Sequence, residues 1–480
     1  MKGTAKKSEA EDAPAPTGTA HRIVPLIVAT SLIMQQIDST AVATALPSMA
    51  ASMNLSSLSL HSVITAYLLS LGVFLPLSGW VADRMGARRV FCAAVIIFTL
   101  ASVACALSFD LVTLIVARFI QGVGAAMMLP TARLILVRLV PRSELVAAMA
   151  LMSMPAVIGP VVGPLVGGFI TDVGSWRGIF WINLPVGIIS VIMTLLLVNP
   201  IPPENDVSFD FRGFALSGIG IGTIIFGLDS ISRDIDFPAL AVVCAVGATC
   251  LGLYVRHAVR CPAPILNLGL FRYRSFQATV FGGTLFRIGF GAMPFLLPLL
   301  MQEIFDYSPF QSGAITFVSA IGAFGMRALT RRILNRFGFR SVLLWNALLS
   351  SLSIALCAIF THQTALALMI TIIFLGGVCR ALQFTSLNSL AFAEVTNAEM
   401  SHSTTLSQVA QRVAQGLGVS IAAALLNFFA ATRGEMTEST FAATFVAIAA
   451  ITALSWISFF KLPQTAGDVL AGRGQEHDAT

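Results

Sequence analysis

The sequence predicts an all-α membrane protein in which fourteen spanning helices form two six-helix bundles joined by a linking pair. Three observations carry this: a composition too apolar for water, fourteen long uncharged runs, and a motif that recurs half a chain later. Of 480 residues, 56% are hydrophobic and only 11% charged, whereas a soluble domain is about 25% charged. The chain has 34 Phe and a mean hydropathy of +0.85, so lipid covers most of its surface. Soluble catalysis, global disorder and nucleic-acid binding are excluded together.

A helix needs about 20 mostly apolar residues to cross the hydrocarbon core. In order, the runs that qualify are 24–46, 61–82, 90–108, 111–137, 145–171, 178–198, 212–229, 239–257, 276–301, 312–331, 341–361, 366–392, 405–430 and 440–461. The seventh is the shortest and ends at Asp229. Residues 1–22 are expected to be a disordered cytoplasmic tail, lacking the apolar core of a signal peptide close behind their charges. Residues 464–480 read as a second tail. Between them lie an N-terminal bundle (23–200), the linking pair (201–262) and a C-terminal bundle (263–463).

Orientation follows from the cations. With both termini inside, 20 of the 29 Lys and Arg fall in inner segments, and the outer loops hold only Arg177, Arg233 and Arg433. The net charge of +6 is then mostly a topology signal, and it requires no acidic partner. The segment Ala393 to Thr404 is the exception, with Glu394, Glu399 and no cation. The seven cysteines lie mostly in apolar runs, with no CxxC or Cys/His ligand spacing. They read as small apolar fillers, and no metal or cofactor is expected.

The third observation is a duplication. Asp83-Arg84-Met85-Gly86-Ala87-Arg88 follows the second span, and Asn335-Arg336-Phe337-Gly338-Phe339-Arg340 follows the tenth, at an offset of 252. Leu46-Pro47 and Leu297-Pro298 repeat at an offset of 251. Spans one to six thus correspond to spans nine to fourteen.

Four stretches carry chemistry. Gly79-Trp80-Val81-Ala82-Asp83-Arg84-Met85-Gly86-Ala87-Arg88-Arg89 packs glycines and charges into an inner turn, where Gly permits a tight reversal. Arg118, in Arg118-Phe119-Ile120-Gln121-Gly122, lies about 10 Å into the fourth span at 1.5 Å per residue, so it must snorkel, pair or face a cavity. Gly159, Gly163, Pro164, Gly167 and Gly168 line the fifth span at spacings that let helices touch backbone to backbone. Asp38, beside Gln35, Gln36, Ser39 and Thr40, is the one acid clearly inside a span. Such a carboxyl either binds protons or pairs with an arginine.

These stretches resemble the major facilitator superfamily. The Gly79–Arg89 stretch resembles its signature gating loop, with Gly79, Asp83, Arg84, Gly86 and Arg88 at the motif positions. The Arg118 segment resembles its second motif, whose arginine is implicated in proton transfer, and the fifth-span glycines resemble the antiporter signature of exporters. Asp38-Ser39-Thr40 with Ala45-Leu46-Pro47, and Trp176-Arg177 followed by Phe180, Ile182-Asn183 and Pro185, resemble the fourteen-span drug:proton antiporters of the QacA/EmrB-like branch. The resemblance runs from the first span to the last. It implies a major facilitator fold and a proton-coupled exporter of drugs or small metabolites working by alternating access, with Asp38 and Arg118 coupling protons.

Binding sites in such carriers lie near mid-membrane between the halves. The polar candidates there are Gln35, Gln36, Arg287, Arg380, Gln408, Gln411 and Arg412, with Gln415 alongside, while Arg133 and Arg327 are expected to snorkel. Deep arginines without a deep acid in the second half favour anionic or zwitterionic substrates. An importer and a non-transporting receptor are the competing readings. No enzyme is expected, since His61, His257, His362 and His402 lie near span ends with no HExxH or GxSxG pattern. The expected partners are a small-molecule substrate, protons and the bilayer, with no nucleic acid. The chain is expected to act as a monomer in the cell inner membrane, with both termini cytoplasmic.

Overall fold

The structure is a computed structural model that describes residues 20–200, 209–230, 237–396 and 399–467. Most of the two predicted tails, with Lys2, Lys6, Lys7 and Arg473, lies outside the described residues, as does Arg233. The N-terminal half consists of α1 (Ala20–Met53), α2 (His61–Met85), α3 (Ala87–Leu107), α4 (Leu111–Leu139), α5 (Arg142–Ser153), α6 (Pro155–Val173), α7 (Gly178–Trp181) and α8 (Asn183–Leu197). The linking pair is α9 (Phe211–Ser230) and α10 (Phe237–Arg260). The C-terminal half is α11 (Arg274–Glu303), α12 (Pro309–Phe337), α13 (Phe339–Ala355), α14 (Leu366–Leu390), α15 (Met400–Arg433) and α16 (Glu438–Phe460). Among the described residues there is no strand.

Thirteen helices among the described residues are long and apolar enough to cross a membrane, the short seventh span among them. The fifth expected span differs: it is two shorter helices, α5 and α6, that meet at Met154 and Pro155. Proline has no N–H to continue a helix and is pre-organised to begin one. The sixth span is likewise divided at Ile182, where Pro185 cannot donate a bond back to the turn of α7. That division brings Asn183 to the start of α8.

The duplication is visible in the backbone. Gly86 and Gly338 both cap their helices at positive φ, 86° and 75°, and their N–H groups bond the carbonyls of Ala82 and Leu334, each at 2.9 Å. Two residues on, Arg88 donates to the Leu195 carbonyl at 2.5 Å and Arg340 to the Phe460 carbonyl at 3.1 Å. Each arginine thus ties the third helix of its half to the last.

The halves meet along α6 with α12 and along α2 with α15, with α1 facing α11 between them. At the end of the molecule that carries Asn54, polar contacts tie them together. Asp172 accepts from Ser308 Oγ at 2.7 Å and from the Phe310 N–H at 3.2 Å. Gln302 donates to the Thr44 carbonyl at 2.9 Å, and Ser57 to Glu303 at 2.5 Å. The linking pair packs through α9 against α2 and α15, and α10 lies outside it.

The acids at 394 and 399 have a local explanation at the opposite end, which carries Gly86. Glu394 accepts from the Ser275 N–H and hydroxyl at 3.2 and 3.0 Å. Glu399 takes Thr396, Tyr273 and Arg272, and the Thr396 hydroxyl, Tyr273 and then Arg272 hold its carboxyl below the usual carboxylate range. The cation for this segment comes from the neighbouring loop.

The α6 glycines are a contact surface. A Cβ at Gly159, Gly163 or Gly167 would overlap Gln36, Thr40 or Ala41 of α1, and one at Gly168 would overlap Pro309 and Phe310 of α12. Gly167→Val, which would strike the Ala41 carbonyl, should destabilise the protein by about 1–3 kcal/mol, the range of core overpacking, and lower its melting temperature in detergent. Gly79→Ala, with nothing within 4 Å of the added carbon and a better helix former in place of glycine, should not lower the melting temperature.

Candidate functional site

Asp38 and Arg118, expected from the sequence to act together, meet in the centre of the N-terminal half. Arg118 NH1 donates to Asp38 Oδ2 at 2.7 Å, and the side chains are 1% and 0% exposed. Arg118 therefore does not snorkel. Gln121, one turn after Arg118 on the same face of α4, accepts from Arg118 NH1 at 2.7 Å and donates to Asp38 Oδ1 at 3.0 Å. Asn183, at the break between α7 and α8, donates to the same oxygen at 2.8 Å and to Ser102 Oγ at 2.8 Å. The Arg118 guanidinium stacks over the Tyr67 ring with its carbon 4.3 Å from the centroid and lies 5.7 Å from that of Phe180.

This shell defines what the site can do. Both Asp38 oxygens face N–H donors, an arrangement that suits the ionised carboxylate. A proton arriving on either oxygen would face one of those donors, so protonation must loosen at least one bond of the shell.

The three arginines expected to face a cavity go to three places. Arg380 lines a pocket of about 90 Å³ between the halves, with Thr40, Thr44, Thr316, Ser319 and the prolines of α6 and α11. Drug-sized ligands occupy about 300–1,000 Å³, so in this state the pocket admits only a small group. Arg412 packs against α2 beside Gly72. Arg287 turns into the C-terminal bundle, 1% exposed, with long contacts of 3.4 Å to the Thr279 carbonyl and to Asn388. It does not line the pocket.

The glutamines also divide. Gln35 is buried and donates to the Ala125 carbonyl at 3.3 Å, Gln36 packs on Gly159, and Gln408 and Gln411 are half-buried on α15. In the turn between α2 and α3 Asp83 lies 4.0 Å from Arg138, and Arg84 stacks on Trp80 with its carbon 5.6 Å from the ring centroid. Arg133 and Arg327 are exposed on the protein surface, as snorkelling requires.

Sequence reasoning missed three groups. Asn183 and Gln121 stood inside recognised motifs but had no role there, although the Arg118 to Gln121 spacing placed them on one face. Asp229 is a second acid within a span, 6% exposed, with His61 Nε2 2.6 Å away. Asp210, His257 and Cys261 bring donor atoms within 4.8 Å of one another. Here the Asp210 carboxylate already accepts from Gly213, His257 and Ile265 at 2.8, 2.7 and 3.4 Å, so it caps α9 and fastens the linking pair.

A profile described as the Major Facilitator Superfamily matches residues 28–419 and again 279–479. The chain belongs to the major facilitator superfamily. The match covers most of the chain, and its second part falls in the C-terminal half that the duplication delimits. As a member it is a multi-pass membrane transport protein rather than an enzyme. Relatives that carry the provisional name multidrug resistance protein MdtD include one from Pectobacterium atrosepticum, 38% identical over 91% of this chain and 95% of its own. Another, from Escherichia coli O6:H1, is 37% identical over 91% and 94%.

Solved structures of the same fold include a POT family transporter bound to 5-aminolevulinic acid, with TM-score 0.69, 16% identity and coverage of 90% and 94%. The human organic anion transporter MFSD10 has TM-score 0.60, 14% identity and coverage of 93% and 100%.

Removing one partner of a buried ion pair leaves the other charge uncompensated and costs about 3–5 kcal/mol. Asp38→Ala should therefore lower the thermal stability of the purified protein strongly. Arg118→Met in the same chain should restore part of that loss, and a double-mutant cycle of melting temperatures measures the coupling.

Proposed function

We propose that this chain is a proton-coupled exporter of small molecules that works by alternating access. The observation that carries the reading is the buried Asp38–Arg118 pair, whose shell of Gln121 and Asn183 links a proton to the release of an arginine. The MdtD name of the relatives supports export, and so does the glycine face of α6 against α1 and α12, which allows the leak-tight contact an antiporter needs. The pocket lined by Arg380 is the substrate region. It widens when the seam between the halves opens.

The positive-inside distribution supports a cytoplasmic Gly86 end and cytoplasmic termini in a cell inner membrane, with the chain acting as a monomer. The tied Asn54 end is then the outer gate, closed in this structure. The gating turn, with Gly79, Asp83, Arg84, Gly86 and Arg88, lies at the inner end.

Charge selects the substrate. Neither Arg380 nor Arg412 has a hydrogen bond or ion pair among the described residues, and a bare guanidinium at membrane depth attracts an anion. Substrates carrying a carboxylate, sulfonate or phosphate, alone or in a zwitterion, are favoured.

Two tests follow from this assignment. In proteoliposomes with a preformed pH gradient, adding substrate should dissipate the gradient with the wild-type protein and leave it intact with Asp38→Asn; a gradient still dissipated by that variant would remove Asp38 from coupling. Arg380→Ala should raise the KM for anionic substrates about 10- to 100-fold, the worth of a charge-assisted hydrogen bond. Neutral analogues should be unaffected, and equal losses for both would make Arg380 structural.

A further inference from the structure

One cluster of metal-ligating side chains lies apart from the pocket and from Asp38, at the Gly86 end, where Phe211 of α9 packs on Trp80 of α2 with centroids 5.4 Å apart. Asp210 stands just before α9, His257 in the last turn of α10 and Cys261 just past its end. His257 and Cys261 are four residues apart, and the Cys261 N–H bonds the His257 carbonyl at 2.9 Å. Helical geometry therefore continues, and both side chains emerge on one face. Asp210 reaches that face from 47 residues earlier, with Oδ1 2.7 Å from His257 Nε2. An oxygen, a nitrogen and a sulfur thus lie within 4.8 Å of one another, from positions too far apart to form a linear motif.

The surroundings seat these groups and leave them available. A Cβ at Gly213 would overlap the Asp210 carboxylate; with glycine there, the carboxylate lies over the backbone and Oδ1 takes the Gly213 N–H at 2.8 Å. Oδ2 takes the Ile265 N–H at a longer 3.4 Å. Tyr254 ties the following loop back to α10, its hydroxyl accepting from the Leu266 N–H at 3.0 Å and donating to the Leu266 carbonyl at 2.8 Å. Pro262 and Pro264 in that loop have no N–H, so it brings few donors to compete for the carboxylate. All three ligand residues are half-buried.

Distance and charge both suit a divalent transition metal. A tetrahedral ion with bonds of about 2.0–2.3 Å sets its ligand atoms about 3.3–3.8 Å apart. The separations here, 2.7 Å for His257 and Asp210 and no more than 4.8 Å overall, bracket that range, so small side-chain rotations close the site. Cysteine binds metal as the thiolate. With the Asp210 carboxylate it supplies two negative charges and the imidazole none, and a divalent ion makes the site neutral at the membrane edge. Arg212, Arg256 and Arg260 are close in sequence but exposed, where water and salt screen them. Thiolate and imidazole select zinc-like ions over calcium and magnesium.

We propose that Asp210, His257 and Cys261 bind a zinc-class divalent ion, with one coordination position left for water, and that the ion clamps the start of α9, the end of α10 and the loop leading to α11 into one unit. Cobalt(II) tests this, because a thiolate ligand gives it a near-ultraviolet charge-transfer band. The full chain, purified in detergent under reducing conditions and stripped with chelator, should bind cobalt saturably at one ion per chain and show that band, and zinc should displace it. Zinc should also raise the melting temperature of the stripped protein, as any ligand of the folded state does. Cys261→Ser should remove the band, and Cys250→Ser, elsewhere on α10, should keep it. Asp210→Asn, which can still cap α9, and His257→Gln should each weaken cobalt binding about tenfold or more, since even an outer-shell partner of a metal is worth about 10- to 100-fold.

Absence of saturable binding, a band that survives Cys261→Ser, or an affinity unchanged in both Asp210→Asn and His257→Gln, which would leave the thiol acting alone, would overturn the proposal. So would a calcium or magnesium response equal to that of zinc. Should Asp210→Asn fail to fold, His257→Gln alone decides the point. These measurements need no transport, so the exporter reading stands or falls separately.

Discussion

A carboxylate and a guanidinium, both out of contact with water, lie 2.7 Å apart in the middle of the N-terminal bundle. Charge at that depth is expensive unless every donor and acceptor around it is matched. Much of the N-terminal half is arranged to match it. The break at Ile182 exists in the helix that must turn Asn183 inward, Gln121 lies one turn from Arg118, and Tyr67 and Phe180 close the guanidinium faces. Both carboxylate oxygens of Asp38 are matched by N–H donors, while the Arg118 Nε has no hydrogen-bond partner.

The C-terminal half carries the same architecture without that compensation. Its turn repeats the glycine cap and the arginine strap of the first half, so the duplication preserved the scaffold. The buried charges were not preserved. Arginines stand there without acids, and they are distributed between the interior, the pocket and the α2 face. A symmetric frame thus holds an asymmetric charge distribution.

Much of the fold was legible in the sequence because the bilayer imposes a length and an apolarity on each crossing, and both are properties of a linear window. The short seventh span, α9, was found for that reason. The division of the fifth span was harder to read. Hydropathy does not register a missing N–H at Pro155, and the apolar run continues across the break. Of the site, Asp38 and Arg118 were legible because a charge inside an apolar run is conspicuous. Asn183 and Gln121 were not, since an amide beside a charge looks the same in sequence as one facing lipid headgroups. Asp229 was hidden by its position at the end of a run, where an acid reads as the start of a loop.

The sequence by itself determined the solvent, the order of the spans, the repeat and the identity of the deep charges, since each depends on composition along the chain. Only the tertiary structure decided which charges meet. Asp38 and Arg118 are 80 residues apart, and His61 and Asp229 belong to the first bundle and the linking pair. Partners are chosen by how helices pack, through contacts such as the α6 glycines that let α1 approach. Arg287, Arg380 and Arg412 look equivalent in sequence and part company in space, because each helix face is set by the neighbour it buries against.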